Sequence, residues 1–373
     1  MEHESTPDYK KLEVKKVEKA DKEIIGLLKE TVLGAEGGMR YSMQNTEERI
    51  KSYGAGLSFM ALYKKNSLKG VIGLCRRKTL NCGIPYESTH LRYLSMKSAF
   101  QTEQAPDHRS DRFPAVEDNF KQKILSLFKG SPLDETVPGE TVAPHVMYAY
   151  VESKNERSKN LINQAGYEYI RSFLTVAFSR FNPRRNPAVT RLRPEEEPAM
   201  GRLLEEQYRN YCFYSDEFSF LDHKYYVLKK DNVIVAGVCA IPARYRVVNV
   251  PGLWGWLMMK VMPVTPLFKK LFQPEEFRYI ILNAIYCHKG SEDLLPDLFE
   301  AVCAEEGYHT ALTWHDDHSE LFEVLRTNRR MGALNRMLNA KPGLIYASFS
   351  GMQTGETDKF YECPAYISGF DFS

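Results

Sequence analysis

Three kinds of pattern are missing from this chain of 373 residues. No uninterrupted apolar run is long enough to cross a bilayer, and the polar N-terminus has no apolar core of the kind that signal peptides carry. The seven cysteines form no CxxC pair and show no metal-ligand spacing. We therefore expect reduced, mostly buried thiols, no bound metal and a cytoplasmic setting.

Neither sign of charge is in excess. The chain has 50 Lys and Arg against 48 Asp and Glu, a net charge of +2, so the totals give no reason to expect a nucleic-acid partner. Hydrophobic residues make up 43% and charged residues 26%, which is ordinary for a soluble globular protein. The length suits two domains better than one.

Residues 144–180 contain the clearest local pattern. Residues 145–151 are β-branched and aromatic, which is typical of a buried strand. Residues 153–165 have helical spacing, and Gly166 is the residue type that ends a helix by adopting a left-handed backbone. Residues 167–178 alternate as a second strand. A strand, a helix and a strand of these lengths form a compact unit.

The helix of this unit carries a recognisable order of residue types. The order is Asn155-x-x-Ser158-x-x-Leu161-Ile162, followed by Gly166-Tyr167. It resembles the late motif of the GCN5-related N-acetyltransferase (GNAT) superfamily. The resemblance implies an α/β (α+β) fold in which a mixed, largely antiparallel central sheet is flanked by helices. Any α/β domain with a capped helix is the alternative for this stretch alone.

The order of elements repeats along the chain although no sequence repeat is evident. We predict a GNAT-like domain at residues 10–182, a Pro- and Arg-containing linker at 183–188, and a second GNAT-like domain at 189–350. The second domain carries an apolar insertion at 251–275, and residues 351–373 are set apart as a tail. The chain thus reads as two GNAT-like domains in tandem.

Periodicity places the individual elements. Strands are predicted at 12–17, 57–63, 68–76, 89–100, 145–151, 167–178, 189–192, 225–229, 233–241, 277–287, 308–314 and 344–349. Helices are predicted after the N-cap Asp21 and at 47–53, 117–128, 153–165, 194–208, 291–305 and 319–328.

The resemblance implies acetyl-CoA, or another acyl-CoA, as cosubstrate. In the superfamily the pantetheine chain pairs with the end of the fourth strand, and the pyrophosphate lies on a Gly-containing loop at a helix N-terminus, where free N–H groups face it. In the first domain Met96, Ser98 and Gln101 match the strand end, and Asn155 matches the late helix. Residues 101–113, however, contain no glycine.

The second domain has a smaller version of this loop. Its strand 277–287 contains the cofactor candidate Ile285, and the strand is followed by the candidates His288, Lys289, Gly290 and Ser291 and then at once by a helix. Against a phosphate site, Glu292 and Asp293 lie in the first helical turn, and a simple Ser-capped helix is the alternative. We prefer this domain for the cofactor because glycine precedes the helix directly.

Catalysis in the superfamily requires a base for the amine and an acid for the leaving thiolate. Where a helix tyrosine often supplies the acid, the first domain has Ile162. In the second domain His315 and Asp316 follow a strand and are candidate bases, and Tyr286 is a further catalytic candidate. Turn formation and capping of the next helix is the alternative role for Asp316.

Two further stretches are distinctive. Residues 253–272 are the most apolar segment and hold two of the three tryptophans. They could dock on a membrane interface, line an apolar pocket, or pack as an insertion between domains. Arg76-Arg77-Lys78 is a basic cluster, interpreted as a solvated strand end rather than as a site for the nucleotide phosphate of CoA.

The sequence therefore predicts an acyl-CoA-dependent N-acyltransferase, with acetyl-CoA as first candidate and a small-molecule or peptide amine as acceptor. A non-catalytic GNAT scaffold that binds a metabolite or a protein stays open, because the glycine loop and the helix tyrosine are absent from the first domain. A membrane-associated form of either rests on residues 253–272 alone.

Overall fold

The computed structural model describes residues 12–34, 37–97, 143–338 and 340–373, together with residues 125 and 128. Thirteen strands in these ranges form one mixed sheet. They are β1 (Leu12–Val17), β2 (Arg40–Met43), β3 (Leu57–Lys64), β4 (Ser67–Asn81), β5 (Ile84–Met96), β6 (His145–Glu152), β7 (Glu168–Ser179), β8 (Val189–Arg191), β9 (Tyr225–Lys230), β10 (Val233–Asn249), β11 (Phe277–Cys287), β12 (Thr310–Asp316) and β13 (Gly343–Ser350).

The described residues also form ten α-helices, several of them short. They are α1 (Lys22–Glu30), α2 (Thr46–Ser52), α3 (Glu156–Gln164), α4 (Glu197–Gln207), α5 (Gly252–Trp256), α6 (Pro266–Lys269), α7 (Leu295–Glu306), α8 (Glu320–Thr327), α9 (Ala333–Met337) and α10 (Thr354–Glu362). Asp21 caps α1 by accepting a hydrogen bond from the Ile24 N–H, at 2.8 Å, and Gly166 follows α3 with φ +89°. Both expectations from the sequence are confirmed.

The strands and helices predicted from periodicity are present wherever they fall in the described ranges, although some ends differ. The predicted helix at 117–128 lies outside these ranges except for Leu125 and Phe128. The sequence missed β2, which is short, and α10, because residues 351–373 were expected to be a tail. It also placed the end of β10 too early, since that strand continues to Asn249.

The sheet order shows how the two halves join. It runs β1-β3-β4-β5-β6-β13-β7-β12-β11-β10-β9-β8, with β2 paired to β10. All these neighbours are antiparallel except β5–β6 and β11–β12, which are parallel. The N-half (β1 to β7) and the C-half (β8 to β13) therefore repeat one arrangement. At the centre β13 lies between β6 and β7, so strands of the two halves alternate there.

The two faces of the sheet are covered differently. On one face a single apolar cluster extends across both halves and includes residues of α1 and α4. On the other face α3 covers the N-half, while α7 and α8 cover the C-half in a separate cluster. Alternation along β7 sends Phe173 and Ala177 to the shared face and Val176 and Phe178 to the other, as strand geometry requires.

The last residues of the chain lie in the middle of the shared face. Residues 365–373, here called the C-terminal segment, are buried apart from the half-buried Phe372. Gly369 packs so closely on Ile281 that an added Cβ would lie 2.6 Å from its Cγ2. The expectation of a tail is wrong for these residues, because their apolar side chains complete the core between the halves.

Candidate active site between two opened strand pairs

Each half contains one parallel strand pair that separates before its strands end. β5 and β6 pair from Glu87–His145 to Leu91–Ala149, and β11 and β12 pair only at Ile280–Ala311 and Ile281–Leu312. Beyond the paired part, β5 carries Tyr93 at φ +58° and β11 carries Ala284 at φ +48°, each beside a register shift with its antiparallel neighbour. Such bulges bend a strand and redirect its backbone groups, so both pairs open into a gap.

The C-terminal segment lies between the two openings. The Phe372 ring stacks on Tyr150 of β6, with centroids 5.6 Å apart, and on Trp314 of β12, at 4.3 Å. The side chain of the residue before each bulge is hydrogen-bonded to the backbone of the C-terminal segment. Arg92 donates to the carbonyls of Phe370 and Ser373, at 3.2 and 2.8 Å. Asn283 accepts from the Gly369 N–H at 2.8 Å. The C-terminal segment thus borders both openings.

A buried ionic cluster in the N-half binds the C-terminal segment. Arg77 of β4 donates two hydrogen bonds to Asp371, at 2.7 and 3.1 Å, and neither side chain is more than 2% exposed. Burial would raise the pKa of Asp371, but Arg77 and His90 hold it well below its ordinary value. His90, with Nδ1 at 3.4 Å from Asp371 Oδ2, has its own pKa lowered mainly by burial.

The sequence missed this cluster. Arg77 was interpreted as part of a solvated strand end, which is wrong for it: Arg76 and Lys78 are exposed, but Arg77 is buried. The strand period of two carries the signal that was overlooked, since Arg77, Thr79 and Asn81 fall on one face. Nothing local pointed to Asp371, which lies 294 positions away.

The opening of the C-half is a pocket of about 330 Å³, including the part open to solvent. Its lining combines aromatic rings with a few polar groups: Tyr208, Tyr211, Trp314, His315, Asp316 and Tyr366. Burial raises the pKa of the Tyr211 and Tyr366 phenols still further above neutral pH, so both stay protonated. The pocket therefore offers apolar ring surface, phenol groups and a carboxylate.

The backbone of β11 along this opening is already hydrogen-bonded to side chains. Gln207, the last residue of α4, donates to the Ile285 carbonyl at 2.6 Å and accepts from the Cys287 N–H at 2.7 Å. Tyr208 also donates to the Ile285 carbonyl, at 2.6 Å. The Gln207 amide thus pairs with the two groups flanking Tyr286 as a neighbouring strand would. These backbone groups are not available to a pantetheine chain.

The cofactor candidates after β11 form a tight turn. Gly290 has φ +83°, and its N–H donates to the side chain of Glu292 at 3.0 Å. His288 Nδ1 lies 3.0 Å from the Lys289 carbonyl oxygen, and Ser291 precedes a short 3₁₀ turn without capping it through its side chain. The Gly290 N–H, which was expected to face a phosphate, therefore donates to the Glu292 carboxylate. The negative charge of that carboxylate would repel a phosphate.

The predicted bases are held in structural roles. Asp316 accepts hydrogen bonds from Arg171, at 2.5 and 3.1 Å, and from the backbone N–H groups of His318 and Ala365, both at 2.8 Å. Both of its oxygens are therefore engaged in hydrogen bonds. Ser319, and not Asp316, is the N-cap of α8, and its hydroxyl donates to the Asp316 carbonyl. Of the alternative role for Asp316, the turn is therefore present, through its bond from the His318 N–H, and the capping is not.

His315 and Tyr286 are also poorly matched to a base. Burial lowers the pKa of His315 to about 3, and its Nε2 lies 2.9 Å from Thr313 Oγ1. The imidazole is neutral at pH 7 but binds a proton weakly. Burial raises the pKa of Tyr286, so its phenol stays protonated. These groups can orient a polar ligand by hydrogen bonds more readily than they can remove its proton.

The candidates in the N-half lie around the other opening. Met96 is the last residue of β5 and its side chain covers Gly70, where an added Cβ would lie 2.3 Å from the sulfur. Ser98 and Gln101 lie outside the described residues. Asn155 caps α3, accepting from the Ser158 N–H at 3.0 Å. Within the described part, no side chain is hydrogen-bonded to the backbone of Tyr93 or Ser95.

Three cysteines meet where the β4–β5 turn approaches the end of α10. Cys82 and Cys363 form a disulfide, and the Cys212 sulfur lies 3.9 Å from that of Cys82. In the described ranges these three form the single group of metal-ligand type whose donor atoms lie within 4.8 Å of one another. The expectation of reduced thiols is wrong for this pair. The other cysteines are free, and Cys75, Cys239 and Cys303 are buried.

The sheet order and the opened parallel pairs define the class of fold. The chain has the fold that the resemblance to the GNAT superfamily implies, a mixed, largely antiparallel sheet flanked by helices. Saccharomyces cerevisiae N-myristoyltransferase, solved with bound myristoyl-CoA, superposes with a TM-score of 0.51 at 9% identity, over 95% of this chain and 86% of the yeast chain. The same enzyme with myristoyl-CoA and inhibitors gives 0.50 at 10% identity, over 92% and 81%.

A further solved structure is less similar. A GCN5-related N-acetyltransferase from Anabaena variabilis gives a TM-score of 0.44 at 10% identity, over 89% of this chain and 72% of that one. No protein-family model matches the sequence, and no curated protein matches it. At these identities the likeness shows the fold.

Proposed function

We propose that the protein transfers an acyl group from an acyl-CoA to an amine. The observation that carries the proposal is the contrast between the two openings. In the N-half the backbone of β5 beyond Leu91 diverges from β6, and no described side chain takes the ladder positions at Tyr93 or Ser95. In the C-half those positions are taken by Gln207 and Tyr208.

The acyl-CoA is accordingly assigned to the N-half, where its pantetheine amides would pair with β5 near Met96. Ser98 and Gln101, which the resemblance assigns to cofactor binding, remain candidates for contact with it. This departs from the preference for the C-half that the sequence suggested. The reasons are the occupied backbone of β11 and the contact between Glu292 and the Gly290 N–H.

The amine acceptor is assigned to the pocket of the C-half. Aromatic faces such as those of Trp314 and Tyr366 attract a cationic ligand, and phenol and imidazole groups can hold it by hydrogen bonds. Phe372 touches both the N-half and the C-half, so the two substrates would meet beside it. Because Asp316 is fully engaged and His315 is a weak base, the ammonium proton would leave to water.

Binding and hydrogen exchange test the assignment together. Purified protein is titrated by calorimetry with acetyl-CoA and, since the yeast enzyme was solved with it, with myristoyl-CoA. Amide exchange is then compared with and without the tighter ligand. We expect slower exchange at residues 93–96 and 150–152 and no change at 285–287.

Two outcomes would count against the proposal. Slower exchange at 285–287 alone would return the cofactor to the C-half. Failure of every acyl-CoA to bind would favour the second candidate function, a non-catalytic scaffold. That candidate is also supported because the described pocket residues include no unengaged base. Release of free CoA in the presence of amines, followed with a thiol reagent, separates a binding protein from an enzyme.

A further inference from the structure

The apolar insertion runs over the surface as consecutive short helical turns. α5 leads into a π-helical turn at Leu257–Val261, a 3₁₀ turn at Met262–Val264 and then α6. Its inner face is anchored: Met262, Leu271 and Phe272 are at most 2% exposed, and Phe268 packs edge-on against Phe181 at 5.4 Å. The segment is therefore held against the core, and its outer face cannot fold inward.

That outer face carries large apolar side chains. Leu253 is 81% exposed, Trp256 57%, Val264 76% and Leu267 47%. With the exposed Lys260 they follow one another three or four residues apart along these turns. We call these five residues the outer stripe. Half of the large hydrophobic residues that are exposed in the described part of the chain lie at 248–267.

The charge around the outer stripe has one sign. Residues 232–274 contain no aspartate or glutamate, but they contain five basic residues. These are Arg244, Arg246, Lys260, Lys269 and Lys270. Arg246 reaches Glu275 at 3.4 Å and Lys270 reaches the Asn182 amide at 3.2 Å, whereas in the described ranges no carboxylate pairs with Lys260 or Lys269. An apolar surface bordered by cations complements an anionic one.

We propose that the outer stripe binds the surface of an anionic lipid bilayer. Its leucine, tryptophan and valine side chains would enter the interface between headgroups and acyl chains, and the lysines would contact the headgroups. The segment would lie in the plane of the membrane, because no helix among the described residues is long and apolar enough to cross it. The proposal does not depend on the acyltransferase activity.

The shape of the outer stripe favours a bilayer over a protein partner. Protein interfaces place their anchor residues in well-packed pockets. Leu253 and Val264 instead project from the surface with most of their area exposed. Side chains that project in this way can enter a soft lipid interface without a matching pocket on a partner.

Co-sedimentation with vesicles tests the proposal. We expect the protein to bind vesicles of phosphatidylcholine and phosphatidylserine at low salt, to bind phosphatidylcholine alone weakly, and to dissociate as salt is raised. The variant L253S/W256S should bind at least about tenfold more weakly. The control V233S/L203S also changes two exposed apolar side chains, but outside the outer stripe, and should bind as the wild type does.

Charge reversal separates the electrostatic part. K260E/K269E should weaken binding to the anionic vesicles by well over tenfold, since each lysine near such a surface contributes about fivefold. The control K230E/K341E makes the same change in net charge at exposed sites outside the insertion. All four variants should keep the unfolding temperature of the wild type, because none replaces a buried side chain.

Two results would overturn the proposal. One is failure to co-sediment at low salt, or vesicle binding that L253S/W256S leaves unchanged. The other is dimerisation of the wild type in sedimentation velocity that L253S/W256S abolishes, without vesicle binding, which would assign the outer stripe to a second copy of the chain. A blue shift of tryptophan emission on vesicles, reduced in W256F, would support insertion of Trp256.

Discussion

The two opened strand pairs have the same topology but different chemistry. In the N-half β5 and β6 pair over five residues before they separate, and in the C-half β11 and β12 pair over two. The residue before the bulge is Arg92 in one and Asn283 in the other, and both bind the C-terminal segment. Among the described residues, the backbone beyond the bulge is hydrogen-bonded to a Gln207 side chain in the C-half, and no side chain takes the corresponding position in the N-half.

The comparison teaches that a shared topology does not imply a shared role. In the C-half, side chains of α4 complete the hydrogen bonding of the opened strand, so its opening holds a pocket bordered by rings. In the N-half the groups beside the opening form a buried ionic network. The ion pair between Arg77 and Asp371 in this network fixes the position of the C-terminal segment.

The largest effect is expected from Asp371→Asn. The change leaves the buried guanidinium of Arg77 without its anion, which typically costs about 3–5 kcal/mol of unfolding free energy. Urea unfolding at neutral pH measures it. The matched change in the C-half, Asn283→Ala, removes neutral hydrogen bonds and should cost about 1–3 kcal/mol. Equal losses in the two variants would contradict the ionic character assigned to the N-half.

A somewhat smaller loss is expected from Asp316→Asn. The variant keeps the shape of the side chain but removes the ion pair with Arg171, whose side chain is 10% exposed. We expect a loss of about 2–4 kcal/mol in unfolding free energy. Glu323→Gln removes an exposed pair with Arg326 and serves as control, with a change below about 0.5 kcal/mol. If stability were unchanged while acyl transfer stopped, Asp316 would be a base after all.

Local pattern was enough to predict most elements but not their neighbours in the sheet. Strand 145–151 and strand 344–349 each show the alternation of a β-strand, yet nothing in either specifies that β6 pairs with β13 rather than with β7. All three strands present similar apolar faces, so the choice depends on packing across the whole chain. The GNAT resemblance implied a mixed, largely antiparallel sheet, and the sheet indeed contains two parallel pairs among antiparallel ones.

The site was harder to predict because its contacts are distant in sequence. Gln207 reaches β11 across 80 positions and Asp371 reaches Arg77 across 294, and neither residue belongs to a motif. His315 and Asp316 were found because they follow a strand, but the sequence does not show that Arg171 satisfies Asp316. Residue type and position thus predicted the location of the pocket better than the role of its side chains.

The pH dependence of stability reports the burial of His315 in the C-half. Its pKa is about 3 in the folded chain and 6.5 ordinarily, so the unfolded chain binds the proton first as pH falls. The stability that neutral His315 contributes is full above pH 6.5 and is lost between pH 6.5 and 3, at about 1.4 kcal/mol per pH unit.

His315→Asn should remove this part of the pH dependence. Relative to its own value at neutral pH, the wild type should lose about 2 kcal/mol more than the variant by pH 5, in urea titrations at each pH. His318→Asn, at an exposed imidazole, is the control and should follow the wild type. Parallel curves for His315→Asn and wild type would show that His315 is protonated in the folded protein.

Gln207→Ala is expected to have the smallest effect on stability and bears most directly on the two openings. It leaves the Cys287 N–H without its partner, while Tyr208 still donates to the Ile285 carbonyl, so the loss should be about 1–2 kcal/mol. If acyl-CoA binds in the N-half, its affinity should not change and exchange at residues 285–287 should be faster with or without ligand. Tighter binding, with new protection at 285–287, would mean that the C-half had the capacity to hold pantetheine and that Gln207 alone prevented it.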